Sequence, residues 1–138
     1  MELLIDKNKK LITIQNEFQK LFPFLKIEFY KRAHSHGKGS PKKNTLNHEL
    51  AIGDVQKTNL AGTININGLM KVAELESAFS KTFGLAVQVF RKSGNVWLQT
   101  TATDEWTLAE QNQKAMEMEK RTASDKNIID AGDRQELE

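Results

Sequence analysis

Cysteine is absent from this 138-residue chain, which removes disulfides, thiolate metal ligands and cysteine nucleophiles together. Whatever holds the fold is noncovalent. Long hydrophobic runs are missing too: the longest are a few residues, against the ~20 that a membrane-spanning helix needs, so no membrane contact is expected. The opening Met1-Glu2-Leu3-Leu4-Ile5-Asp6 has an acidic residue where a secretory leader has basic ones, and no apolar run of sufficient length follows. A cytoplasmic location is therefore expected. Nor does any Ser, Asp or Glu stand at a spacing that suggests a triad or paired acids with His34, His36 or His48. Structural zinc normally takes four N or S donors, and histidines on a Gly-rich loop do not fix such a geometry. No catalytic residue, metal site or cofactor is assigned, and an enzyme is the less favoured reading.

What is present is ordinary in amount and uneven in placement. An apolar content of 38% and a charged content of 28% suit a globular protein, and the length fits one domain or two half-domains sharing a core. Residues 1–103 hold 15 Lys/Arg against 8 Asp/Glu, and residues 104–138 hold 5 against 10, so a body of +7 precedes a tail of −5. A basic body attracts polyanions and an acidic tail screens it, although both also serve solubility.

Sliding the chain against itself by 61 residues aligns 2–31 with 63–92 without a gap. Ile5/Ile66, Lys10/Lys71, Phe18/Phe79, Lys20/Lys81, Phe22/Phe83, Phe29/Phe90 and Lys31/Lys92 are identical, so six of the seven Phe residues fall into three pairs at one spacing. The register resumes at an offset of 56, with Glu49-Leu50-Ala51-Ile52 against Glu105-Trp106-Thr107-Leu108.

Each copy opens with a short period-two strand, Glu2 to Asp6 or Thr63 to Asn67. A helix follows in each, its stripe formed by Leu11, Ile14, Phe18 and Phe22 or by Val72, Leu75, Phe79 and Phe83 at spacings of three and four. Pro23 and Gly84 stand at matching stop positions. Next come strands Phe24 to Lys31, with one polar face, and Leu85 to Lys92, with little polar surface. Ser93-Gly94-Asn95 predicts a tight hairpin turn into Val96 to Thr101. Copy one has instead the long loop Arg32 to Asn44 and a weak return near Thr45 to His48. Ile52 to Gln56 predicts one or two helical turns. Thr107 and Glu110 have capping-box spacing, predicting a last helix from Leu108 to about Lys120.

The expected class is α+β: internally duplicated β-α-β-β-α units, 1–60 and 61–120, sharing one mixed sheet with helices packed on one face, then a disordered tail over 121–138. Parallel pairing of the strands flanking each main helix follows from the right-handed crossover preference. A ferredoxin-like β-α-β-β-α-β core is the alternative.

The most distinctive segment is the loop from Lys31 to Lys43, where Lys31, Arg32, Lys38, Lys42 and Lys43 occur with no carboxylate between Glu28 and Glu49. Glycine-rich backbone and cations suit phosphate, but the Walker spacing is absent, and a solvated loop is the plainer reading. Trp97, Trp106 and Tyr30 could stack on bases, although packing on the fold is favoured for them.

The stretches Phe90-Arg91-Lys92-Ser93-Gly94-Asn95-Val96-Trp97-Leu98 and Thr100 to Asn112, with Phe22-Pro23-Phe24-Leu25-Lys26 and Gly39-Ser40-Pro41-Lys42-Lys43, resemble a family of small uncharacterised proteins from Bacteroidota. The resemblance spans about residues 1–112. It implies a bacterial cytoplasmic setting and no particular chemistry. The expected function is a non-enzymatic binding or adaptor module, acting through protein contacts or through a polyanion held by the loop 31–43. A protein partner is favoured over nucleic acid. The alternatives are a small enzyme or ligand-binding protein with a cleft between the repeats, using His34, His36 or His48 for proton transfer, and a homo-oligomer built on a free sheet edge.

Overall fold

Strand β1 (Glu2–Ile5) is followed by helix α1 (Leu11–Leu21), strand β2 (Leu25–Tyr30) and the single-turn helix α2 (Ile52–Val55). Then come β3 (Gly62–Asn65), α3 (Val72–Ser77), the hairpin β4 (Ala86–Ser93) and β5 (Val96–Gln99), and the long helix α4 (Leu108–Gly132). The computed structural model describes residues 1–31, 39 and 41–132, with side chains as far as residue 121. The fold is α+β.

Apolar periodicity selects the buried faces. Leu11, Ile14 and Phe18 on α1, Val72 and Leu75 on α3, and Phe79 just beyond it have no solvent exposure. Leu3 and Ile5 join them from β1, Ile64 and Ile66 from β3 and its end, and Ile27, Phe29, Val87 and Val89 from β2 and β4, all in one core cluster. The Phe29 and Phe79 rings meet edge to face, 5.9 Å between centroids, the arrangement their quadrupoles favour. Past Ser77 the chain winds as a π-helical turn over Ala78–Thr82. Gly84 then ends it at φ +63°, a conformation that glycine reaches without a Cβ penalty.

The single mixed sheet is not what forms. Among the described residues the strand pairs are all antiparallel and fall into two sheets, β1–β3 and β2–β4–β5. The reason lies at the edges of β2. One edge is taken by β4, from Leu25↔Arg91 to Tyr30↔Ala86. Along the other, the Leu46 N–H donates to the Phe29 carbonyl (2.8 Å), the Lys31 N–H to the Asn44 carbonyl (2.9 Å) and the Gln15 amide to the Ile27 carbonyl (2.8 Å). β1 therefore has no edge of β2 to join. It pairs with β3, which carries the same one-sided apolar pattern, and Leu3 stands opposite Ile64.

Hydrogen bonds recur at the positions related by offsets of 61 and 56. Leu11 N–H to the Leu50 carbonyl (2.9 Å) has its counterpart in Val72 to Trp106 (3.0 Å), and Ile52 to Lys9 (2.8 Å) in Leu108 to Met70 (2.8 Å). Likewise Ile12 to His48 (2.9 Å) corresponds to Ala73 to Asp104 (2.8 Å), and Gly53 to Lys7 (2.9 Å) to Ala109 to Gly68 (3.0 Å). Even the surface ion pairs correspond, Lys10–Glu49 and Lys71–Glu105, each at 3.2 Å.

The predicted capping box is present: the Glu110 N–H donates to Thr107 Oγ1 (3.1 Å) and the Thr107 N–H to Glu110 Oε1 (2.8 Å). Instead of ending near Lys120, α4 continues to Gly132, because no Gly or Pro interrupts the helix-forming residues from Thr107 to Ala131. Residues 133–138 of the expected tail lie outside the described residues.

Candidate anion-binding site

The two ends of the long loop are brought together where β2 finishes. Lys31 follows the last residue of β2, and its N–H bond to Asn44, with the isolated Tyr30↔Thr45 bridge, ties the returning chain to the strand. Lys42 and Lys43 lie in the 3-10 turn Lys42–Asn44. That turn is closed by the Thr45 N–H and Oγ1, both donating to the Lys42 carbonyl at 3.0 and 2.7 Å. Lys31, Lys42 and Lys43 are all exposed. Arg32 and Lys38, with His34 and His36, lie outside the described residues. Gly39 is described, and it sits so close to Gln99 Oε1 that a Cβ would not fit. The loop thus touches the polar face of the three-stranded sheet.

Beside Lys31 a cavity of about 200 Å³ opens between the end of β2 and the start of β4. It is lined by Tyr30, Lys31 and Leu46, by Val55 and Lys57, and by Gly84, Leu85 and Ala86. Its described lining includes two lysines and no acidic residue. Gly84 makes this approach possible: the Lys57 N–H donates to its carbonyl at 3.2 Å, and a Cβ there would lie 3.0 Å from the Lys57 and Thr58 nitrogens. Tyr30 is buried, with 4% of its surface exposed. That burial pushes its phenol above the ordinary value of 10.0; a hydrogen bond with the Thr45 side chain pulls the other way, and the Glu28 charge adds to the rise. At neutral pH Tyr30 is a neutral donor.

Such a lining suits an anion. Two lysines on flexible stems provide charge, and the neutral phenol of Tyr30 adds none of the opposing sign. A nucleophile paired with a base is not assembled here. His48 lies 54% exposed with its Nε2 3.4 Å from Glu49, and it lines none of the cavities at Lys31, Trp106 or Ala73. Among the described residues no group of three or more His, Asp or Glu converges as metal ligands do.

Sequence reasoning singled out Lys31, Lys42 and Lys43, and the fold brings these close to one strand end. It missed Lys57, Tyr30 and Gly84 as neighbours. The Pro23/Gly84 match signalled a helix stop, and nothing in it announced that the linker after α2 would pass across that stop. No family model matches the chain, and neither the curated proteins nor the solved structures contain a match.

Proposed function

We propose that the chain is a non-enzymatic binding module that holds a polyanion at the basic end of its three-stranded sheet, in a cytoplasmic setting. One observation carries this reading: Lys31 and Lys57 frame a cavity with no carboxylate in its described lining, and the chain from Lys42 is tied back beside it. The +7 charge of residues 1–103 supports it by drawing anions to that body.

The scaffold is two diverged copies of one β-α-β-β-α unit. Supporting this are the matched Phe residues, the matched hydrogen bonds and the pairing of Leu3 with its own counterpart Ile64. The ladder of β2 and β4 is likewise centred between Ile27↔Val89 and Glu28↔Gln88, where an offset of 61 places an approximate twofold axis.

The test is retention on immobilised polyphosphate and nucleic acid as salt is raised. Log affinity should fall linearly with log salt, and Lys31→Ala and Lys57→Ala should each lower the slope by about 1. Binding that is absent, or indifferent to salt, refutes the reading.

A second reading, self-association through protein contacts, is favoured by the edge strand β5, whose Val96 and Leu98 are 56% and 43% exposed. Sedimentation at rising concentration tests it; a constant monomer mass removes it.

A further inference from the structure

At the opposite end of the same sheet face, aromatic rings and lysines converge. Lys26, Phe90 and Gln99 stand abreast on β2, β4 and β5, and Lys92 and Trp97 form the next cross-strand pair on that face. The Lys26 ammonium lies 5.3 Å from the Phe90 ring centroid and 5.1 Å from that of Trp97, the range of a cation–π contact. It is also 3.2 Å from Glu28 Oε2. Lys26, Phe90, Lys92 and Trp97 are all half-buried, so each keeps part of its surface in solvent. The other aromatics differ: Tyr30 is buried, and Trp106 lies against the Arg91 guanidinium at 5.8 Å, a residue on the opposite face of β4.

We propose that this face binds single-stranded nucleic acid, with bases stacked on Phe90 and Trp97 and the phosphates followed by Lys26 and Lys92. The proposal rests on the polyanion reading above and adds the class of polyanion. Two requirements are met together here. Repeating negative charge needs cations at intervals, and unstacked bases need aromatic faces beside them. An acidic peptide or polyphosphate would use the cations and leave the rings idle. Lys26 is the residue that switches: without ligand it covers the two rings, and with ligand it moves to a phosphate while a base takes its place. From Lys92 back to Ala86, which lines the cavity of Lys31 and Lys57, β4 covers roughly 20 Å at ~3.3 Å per residue. Gln88, between them on β4, is fully buried, so the rings and the cavity are two separate points of contact.

The experiment uses the full chain carrying Trp106→Phe, which leaves Trp97 as the only tryptophan, titrated with short oligothymidylate, oligouridylate, a duplex of equal length and inorganic polyphosphate. Trp97 fluorescence should be quenched by at least one single strand, and more strongly than by polyphosphate, which draws Lys26 away without stacking a base on the ring. In an otherwise native chain, Trp97→Ala and Phe90→Ala should each weaken single-strand binding roughly tenfold, as loss of one stacked base does, and leave polyphosphate affinity within about twofold. Quenching of Trp97 needs no folded alanine variant, so it decides the matter even if one of these unfolds. Unchanged fluorescence, or a duplex bound as tightly as the single strands, overturns the platform and leaves the polyanion reading standing. If none of the four ligands binds, both fall together.

Discussion

The halves 1–60 and 61–120 solve the same packing problem and then part company. Where they match, the contacts are those of a scaffold: Phe18 and Phe79 are both buried, Leu11 and Val72 donate to corresponding carbonyls, and Lys10 and Lys71 pair with corresponding glutamates. Where they differ, polar chemistry collects. The second half turns tightly at Gly94 and forms the β4–β5 ladder. The first half has in place of that turn a long basic loop, whose return meets β2 through the isolated Tyr30↔Thr45 bridge and the Leu46–Phe29 and Lys31–Asn44 backbone bonds. The second half also carries the rings of Phe90 and Trp97 and a helix that outgrows the four-residue α2. On the proposed duplication, the matched positions supply a core, and the strand ends where the halves differ are free to supply a site.

The largest effects should come from breaking what the halves share. Phe18→Ala and Phe79→Ala each empty a fully buried site and should cost about 3–5 kcal/mol in urea unfolding. Similar losses at the two positions would support equivalence, whereas a large gap between them would argue against it. Next in size, Gly84→Ala imposes φ +63° on a Cβ that also meets the Lys57 and Thr58 nitrogens at 3.0 Å, and should cost about 2 kcal/mol or more. Gly94 has φ +60° and open space around it, so Gly94→Ala should cost only about 1 kcal/mol. The difference between these glycines measures the close approach of the linker.

Smaller still is the cap. Thr107→Ala should cost about 1 kcal/mol by removing the acceptor of the Glu110 N–H. The matched position already holds Ala51, whose N–H donates to Asp54 Oδ2 at 3.1 Å, so Ala51→Thr completes a half-made box and should raise stability by a few tenths of a kcal/mol. The smallest effect is one of pH. Because burial raises the Tyr30 phenol above 10.0 in the folded chain, its contribution is fully present below that value and is lost as pH rises through the folded-state value. Unfolding free energy should therefore decline above about pH 10, and Tyr30→Phe should flatten that decline.

Much of the scaffold was legible from period and punctuation. Stripes of three and four placed α1 and α3, Pro23 and Gly84 marked their stops, Gly94 the hairpin, and Thr107 with Glu110 the start of α4. Strand partnership was not, because the crossover preference presumes that β2 has an edge to offer β1, and Leu46, Asn44 and Gln15 take that edge. Candidate sites were half legible. A charge run exposed Lys31, Lys42 and Lys43, but Lys57 enters only through the meeting of the linker with Gly84, and Lys26 meets Trp97 only through the register of three strands. Helix α4 passes its expected end because polar residues without Gly or Pro sustain a helix.

On this reading the first half keeps the scaffold of the second and adds cations to the anion site where the second half has a turn. Replacing residues 32–43 with the second half's Ser-Gly-Asn turn tests this directly, by thermal melting together with retention on polyphosphate. The expected result is a cooperative melt within a few degrees of the parent and loss of the share of retention carried by Arg32, Lys38, Lys42 and Lys43, with Lys31 and Lys57 keeping the rest. A chain that no longer folds would contradict the shared scaffold, and one that folds and binds as before would contradict the site.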